Sequence, residues 1–288
     1  MLDLSRCTLL FVETRAHKIT KRVIEDCLSK ATFGDVLIYT DKPAEFNGLD
    51  ARLILCKDFP NKREAGQFYY QYACAGITTD FALMLEWDAG IYDPAKWRPE
   101  FFNYDYIGAP WLVRPGDPHD VGNGGFTLMS KRLGRFLADH PKEHPVTTDW
   151  DLCRNRRAGL ELAGGFKWPG HELASCFSWE LGPRNPENFG FHGAFRWIDM
   201  LERDELVARA KLMTETPYLC GKMKDIFRHS TVSWLEKAIG PEAWGRYQPS
   251  TPIQLRGGTV ISPGHRQYML RLLAERQAAA RATKGLKA

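Results

Sequence analysis

Glu86 and Asp88 stand one residue apart, directly after the uninterrupted apolar run Phe81–Leu85. Apolar residues in such a run suit a short strand buried on both faces. If the strand period continues, both carboxylates project from one face and Trp87 from the other. Two carboxylates at the carboxyl end of a buried strand form a hard-oxygen site, suited to Mg²⁺ or Mn²⁺ and a phosphorylated ligand. A lone E-x-D also fits a strand end whose acids simply reach water, so other reactive residues must shift the balance. Asp149 and Asp151 lie in Thr147-Thr148-Asp149-Trp150-Asp151. There Thr148 or Asp149 suits the cap of a helix, and Asp149, held rigidly near a hydroxyl, would alternatively serve as a general base. His192, between aromatics and glycines in F-G-F-H-G, reads either as a structural histidine or as a third metal ligand. Near it in type, Val121-Gly122-Asn123-Gly124-Gly125-Phe126 reads as a loop before a strand. Its glycines allow close backbone approach to a ligand, positive φ, or a plain hairpin turn.

The elements that must position these groups alternate. Strands are expected over 7–12, 35–40 and 52–56, the first two ending in Glu13-Thr14 and Asp41. A helix with Ile19, Val23, Ile24 and Cys27 inward is expected to close at Gly34, and Asn61 caps a second helix. Such alternation predicts a parallel sheet with helices on both faces, and ligands at the carboxyl ends of its strands. Glu13, Thr14, Asp41, Glu86 and Asp88 all fall at those ends. Lys62 and Arg63 open the second helix, where anions are favoured, though solvated charge explains them equally. Further helices are expected over 97–103, 131–139, 148–157 and 198–213, with a strand over 104–109 and a surface loop over 114–120. The stretch 217–235 reads as one or two more helices, and 244–252 as a turn-rich connection.

Composition excludes several classes. At 288 residues the chain can bury one large core or two modest ones, and a net charge of +4 is too small to indicate nucleic acid. No apolar run approaches the roughly 18 residues of a transmembrane helix. The N-terminus lacks a basic n-region and a small-residue cleavage site, so it reads as a first strand. Seven scattered Cys, without C-x-x-C, read as buried thiols in a reducing compartment, and a cytoplasmic protein is expected. Neither G-x-G-x-x-G after the first strand nor G-x-x-x-x-G-K-[ST] is present, which disfavours a Rossmann dinucleotide site and a P-loop. The basic tail, 265–288, reads as a solvated helix before it reads as a contact for a membrane surface or a phosphate-rich acceptor.

The order of E-W-D at 86–88, Y-D-Y-I-G-A-P-W at 104–111, V-G-N-G-G-F at 121–126, T-D at 148–149 and F-G-F-H at 189–192 resembles a bacterial and fungal domain family. That family is similar to the GT-A glycosyltransferases. The resemblance covers about 5–197 and implies an α/β, Rossmann-like GT-A core over 1–197, with a mostly parallel central sheet flanked by helices. A helical C-terminal extension over 198–288 would complete the chain. It further implies a D-x-D-like metal site of Glu86 and Asp88 completed by His192, with Mn²⁺ or Mg²⁺ as cofactor. Glu13, Thr14, Asp41, Arg63, Glu86, Trp87 and Asp88 would bind the nucleotide-sugar donor. Asn123, Gly124 and Gly125 would shape the acceptor side, and Asp149 would be the base of an inverting transfer, with Asp151 its competitor. The acceptor would be a carbohydrate or another hydroxyl-bearing molecule. A non-catalytic nucleotide- or carbohydrate-binding module is the alternative. A nucleotidyltransferase would need a basic, Gly-rich N-terminal loop that is absent near Thr14–Lys18.

Overall fold

The computed structural model describes residues 1–113 and 117–220. In chain order the elements are β1 (Leu2–Glu13), α1 (His17–Lys30), β2 (Ala31–Thr40), β3 (Arg52–Leu55), α2 (Lys62–Gln67), β4 (Phe81–Leu85), β5 (Gly90–Ile91), β6 (Tyr106–Pro110) and β7 (Val121–Ser130). Then follow α3 (Lys131–Asp139), α4 (Arg157–Gly164), α5 (His171–Phe177), β8 (Ser178–Trp179), β9 (Gly190–Phe191), α6 (Trp197–Met200), α7 (Arg203–Glu215) and α8 (Pro217–Cys220).

Six strands form one mixed sheet in the order β3-β2-β1-β4-β7-β6. The four strands from β3 to β4 are mutually parallel, and β7 runs antiparallel to both of its neighbours. Continuous apolar runs explain why both faces are covered. Along β1, Leu9 and Phe11 point into one apolar layer and Leu10 into the other; along β4, Leu83 and Leu85 oppose Ala82 and Met84. The first layer holds α1, α5 and α7, and the second holds α3, α4 and the segment after α2. The fold is therefore α/β, with a mostly parallel sheet between two helical layers.

Several local expectations change. Gly34 does not close α1, which ends at Lys30; it lies within β2, packed against the Ser5 carbonyl. The glycine-rich stretch at 121–126 is not a loop but the first half of β7, buried throughout. The helix expected at 97–103 is reduced to one 3₁₀ turn, Pro99–Asn103, opened by a proline. The segment expected as one helix over 148–157 is a π-helical turn, Asp151–Asn155, followed by α4. Asn61 does cap α2, its Oδ1 accepting from Glu64 N at 3.0 Å.

Of the C-terminal segment, α7 is no loose addition. Leu206, Ala210 and Met213 join the first apolar layer, and fully buried Arg209 donates to Glu205 at 2.8 Å, Asp26 at 3.1 Å and the Ala89 carbonyl at 3.2 Å. The helices and connection expected beyond 220, including the basic tail 265–288, lie outside the described residues, as does part of the loop 114–120. Among the described residues no helix is long and apolar enough to cross a membrane.

Candidate functional site

A cleft of about 340 Å³ opens at the carboxyl ends of β1 and β4. Its walls include Glu13, Thr14, Lys62, Tyr69, Glu86, Trp87, Gly125, Asp149 and His192. Glu86 follows β4 directly and extends its pairing, donating its N–H to the Gly125 carbonyl at 3.0 Å. The acids and the histidine, about a hundred residues apart, are brought together by a second, three-stranded sheet in the order β5-β9-β8. Gly90 pairs with Phe191 antiparallel, and Trp179 with Phe191 in parallel. Continued by one residue, those registers set Ala89, His192 and Glu180 abreast. The His192 N–H donates to the Trp179 carbonyl at 3.0 Å, in keeping with that continuation. Trp197 Nε1 donates to the Asp88 carbonyl at 3.2 Å and braces the same turn from beneath.

Glu86, Asp88 and His192 each offer one ligand atom, all within 4.8 Å of one another. His192 Nε2 lies 3.4 Å from Asp88 Oδ1 and 3.9 Å from Glu86 Oε2. Its Nδ1 lies 2.8 Å from Asn123 Oδ1 and 3.5 Å from Glu180 Oε1. A proton on Nδ1 directed at Asn123 leaves Nε2 facing the two acids, the tautomer a metal ligand needs. Asp88 Oδ1 and Glu180 Oε2 are enclosed and without a hydrogen-bonding donor among the described residues. Two carboxylates and an imidazole at this spacing, with an orphaned Asp88 oxygen, fit a divalent cation.

The electrostatics agree with a site that favours positive charge. Burial would lower the His192 imidazolium, but Asp88, then Glu180 and Glu86, push it up to about 10. Burial would raise Asp88, yet the His192 charge outweighs it and leaves that carboxyl below its ordinary value. Glu86 is pushed up to about 7 by burial of its carboxyl in the cleft, against the pull of His192 and with Asp88 and Asp149 adding. The Glu86 side chain lines the cleft and is 47% exposed. Burial likewise raises Glu180 and Asp149, and in both the His192 charge opposes it.

Asp149 is not the cap of its turn. Thr148 is, its Oγ1 accepting from Asp151 N at 3.0 Å. Asp149 instead accepts from Gly124 N at 3.0 Å and Trp150 N at 2.7 Å, which fixes it on the wall of the cleft. Asp151 is tied to its own turn by Thr147 N at 3.2 Å and Asn155 Nδ2 at 3.1 Å, and is not part of that wall. Gly124 and Gly125 have a plain steric reason. A Cβ on Gly124 would run into the Tyr70 hydroxyl, and one on Gly125 into the His192 ring. These glycines admit protein side chains to the floor of the cleft.

Other expected residues are placed differently. Glu13 lines the cleft, but both of its carboxylate oxygens are engaged: Oε1 by Arg15 N and Ala16 N, each at 2.6 Å, and Oε2 by Thr20 Oγ1 at 2.6 Å. It holds the start of α1. Asp41 pairs with His17 Nε2 at 2.7 Å, and neither it nor exposed Arg63 is part of the cleft wall. Lys62 and Arg15 are the cations that line it. Glu180, Tyr69 and Tyr70 were missed from sequence. Glu180 closes an unremarkable S-W-E, and Tyr69 falls on what the sequence presents as the apolar face of a helix.

Residues 65–192 match a family described as a protein of unknown function (DUF5672). The span is less than half of the chain and contains Glu86, Asp88, Asp149, Glu180 and His192. No curated protein matches.

Proposed function

We propose that this protein is a divalent-cation-dependent glycosyltransferase of GT-A type, moving a sugar from a nucleotide-sugar donor to an acceptor hydroxyl with inversion. The observation that carries this reading is one cleft, at the carboxyl ends of parallel strands, lined by Glu86, His192 and a separately anchored Asp149, with Asp88 Oδ1 3.4 Å from the His192 ring. Asp88, His192 and Glu86 would hold Mn²⁺ or Mg²⁺, which when bound neutralises charge growing on a diphosphate leaving group. Asn123 and Glu180 orient the imidazole. Lys62 and Arg15 offer positive charge to phosphate oxygens on the opposite wall. Asp149 takes the proton of the attacking hydroxyl, its basicity increased by burial. Beside it, Trp150 is 47% exposed and presents an aromatic surface suited to an acceptor carbohydrate. Among the described residues six cysteines are free, five of them buried, which fits a reducing compartment such as the cytoplasm.

A thermal-shift screen of nucleoside diphosphates and nucleotide sugars, with and without Mn²⁺, tests this reading. Ligand at about 100 times its Kd adds roughly 2.7 kcal/mol of apparent stability. The expected result is a Mn²⁺-dependent rise with one base that disappears in Asp88→Ala. A rise that needs no metal would favour a binding module without transfer chemistry.

A further inference from the structure

Between α2 and β4 the chain makes a π-helical turn, Phe68–Tyr72, that buries three successive side chains, Tyr69, Tyr70 and Gln71. Turns of this type are rare and recur at functional sites. This one is bolted in place. The Gln71 amide donates to the Leu137 carbonyl and accepts from Val146 N at 2.7 Å. Tyr70 packs edge-on against Tyr69, ring centroids 4.9 Å apart, with its hydroxyl lodged against Gly124. Tyr69 is thereby held in the wall of the cleft.

The Tyr69 hydroxyl is enclosed and has no hydrogen-bond partner among the described residues. An enclosed polar group without a partner is costly to keep, and phenylalanine would fill the same space. Tyr69 lines the same cleft as Glu86 and Asp149. Burial, with the charges of Glu86 and Asp149 adding, holds the phenol neutral, well above its ordinary value. The two carboxylates on that wall disfavour a second anion beside the phenol, and Lys62 and Arg15 are the cleft's cations for phosphate. A neutral polyol suits the position, because its hydroxyls donate to carboxylates while accepting from the phenol.

We propose that Tyr69 is a specificity-determining residue whose hydroxyl hydrogen-bonds a hydroxyl of the transferred sugar, in the cleft that Glu86 and Asp149 also line. The inference rests on the glycosyl-transfer reading. Its test is Tyr69→Phe in the full chain, with two readouts. Without ligand, the melting temperature should hold or rise, because the hydroxyl removed has no protein partner. A fall of about 3 °C or more, the scale of one lost hydrogen bond, would assign that hydroxyl a structural role and overturn the proposal. With Mn²⁺, the probes are UDP, GDP and ADP and their hexose conjugates, titrated by calorimetry. Affinity for the conjugate should fall about tenfold while that for the parent diphosphate is unchanged. Unchanged conjugate affinity, or equal weakening of both ligands, sinks the role of Tyr69 and leaves glycosyl transfer standing. If the wild-type chain binds none of the probes, the transferase reading fails first and this inference goes with it.

Discussion

Two neighbouring strands, β1 and β4, end in buried acids, and the two ends behave differently. At the end of β1, Glu13 has all its hydrogen-bonding needs met by Arg15, Ala16 and Thr20, so its charge is spent on starting α1. Beyond β4, Asp88 Oδ1 is enclosed and makes no hydrogen bond among the described residues, its charge facing His192 Nε2 at 3.4 Å, and Glu180 Oε2 is likewise without a hydrogen bond beside the same histidine. Both are carboxylates largely enclosed at the carboxyl side of neighbouring parallel strands, Glu13 closing its strand and Asp88 three residues beyond the end of its own. Satisfaction is what separates a carboxylate that builds the scaffold from one available to a ligand.

Substitutions can break that contrast. The largest effect is expected at the base. Asp149→Asn should lower turnover on the donor found by thermal shift about 10²–10⁴-fold with the fold intact, whereas Asp151→Asn should leave turnover within a few-fold. The reverse order would move the base to Asp151. Next comes Glu13. Replacing it with Ala strands two backbone N–H groups and the Thr20 hydroxyl, and urea unfolding should show a loss of about 3 kcal/mol. Glu13→Gln, which keeps acceptor capacity on one oxygen, should lose less. A Glu13→Ala chain of normal stability but impaired nucleotide binding would erase the distinction between the two strand ends.

The smallest effect concerns pH. Burial would raise Glu205, but hydrogen bonds from Arg22 and Arg209 outweigh it and hold the carboxyl below its ordinary value. A carboxyl depressed in the folded state contributes stability that is fully present above the unfolded value of about 4.3 and is lost as pH falls through the folded value. Glu205→Gln should therefore cost stability at neutral pH and much less in acid, flattening the acid limb of a stability–pH curve. Parallel curves for variant and wild type would remove Glu205 from the acid response.

How much was legible depended on the range of the forces involved. The run Phe81–Leu85 and the stretch Lys131–Asp139 were readable to the residue, because unbroken burial and helical spacing are local patterns with local stops. The cap at Asn61 was equally local. The glycine-rich stretch at 121–126 was misread as a loop because glycine signals conformational freedom in sequence. Here Gly124 and Gly125 are small so that Tyr70 and His192 can pass. Glu180 left no signal, since its meaning comes from a register between two-residue strands. Nor could sequence separate Thr148 from Asp149 as the cap of the turn; Thr148 took that task and left Asp149 to the cleft.

By itself, then, the amino-acid order determined that Phe81–Leu85 is a strand buried on both faces, and that two acids follow it. Apolar periodicity and capping act over a few residues, and a linear chain displays them. Only the tertiary structure decided which of those acids are satisfied. A carboxylate's partners come from segments up to a hundred residues away, and the free oxygen that distinguishes Asp88 from Glu13 exists only once those segments have packed.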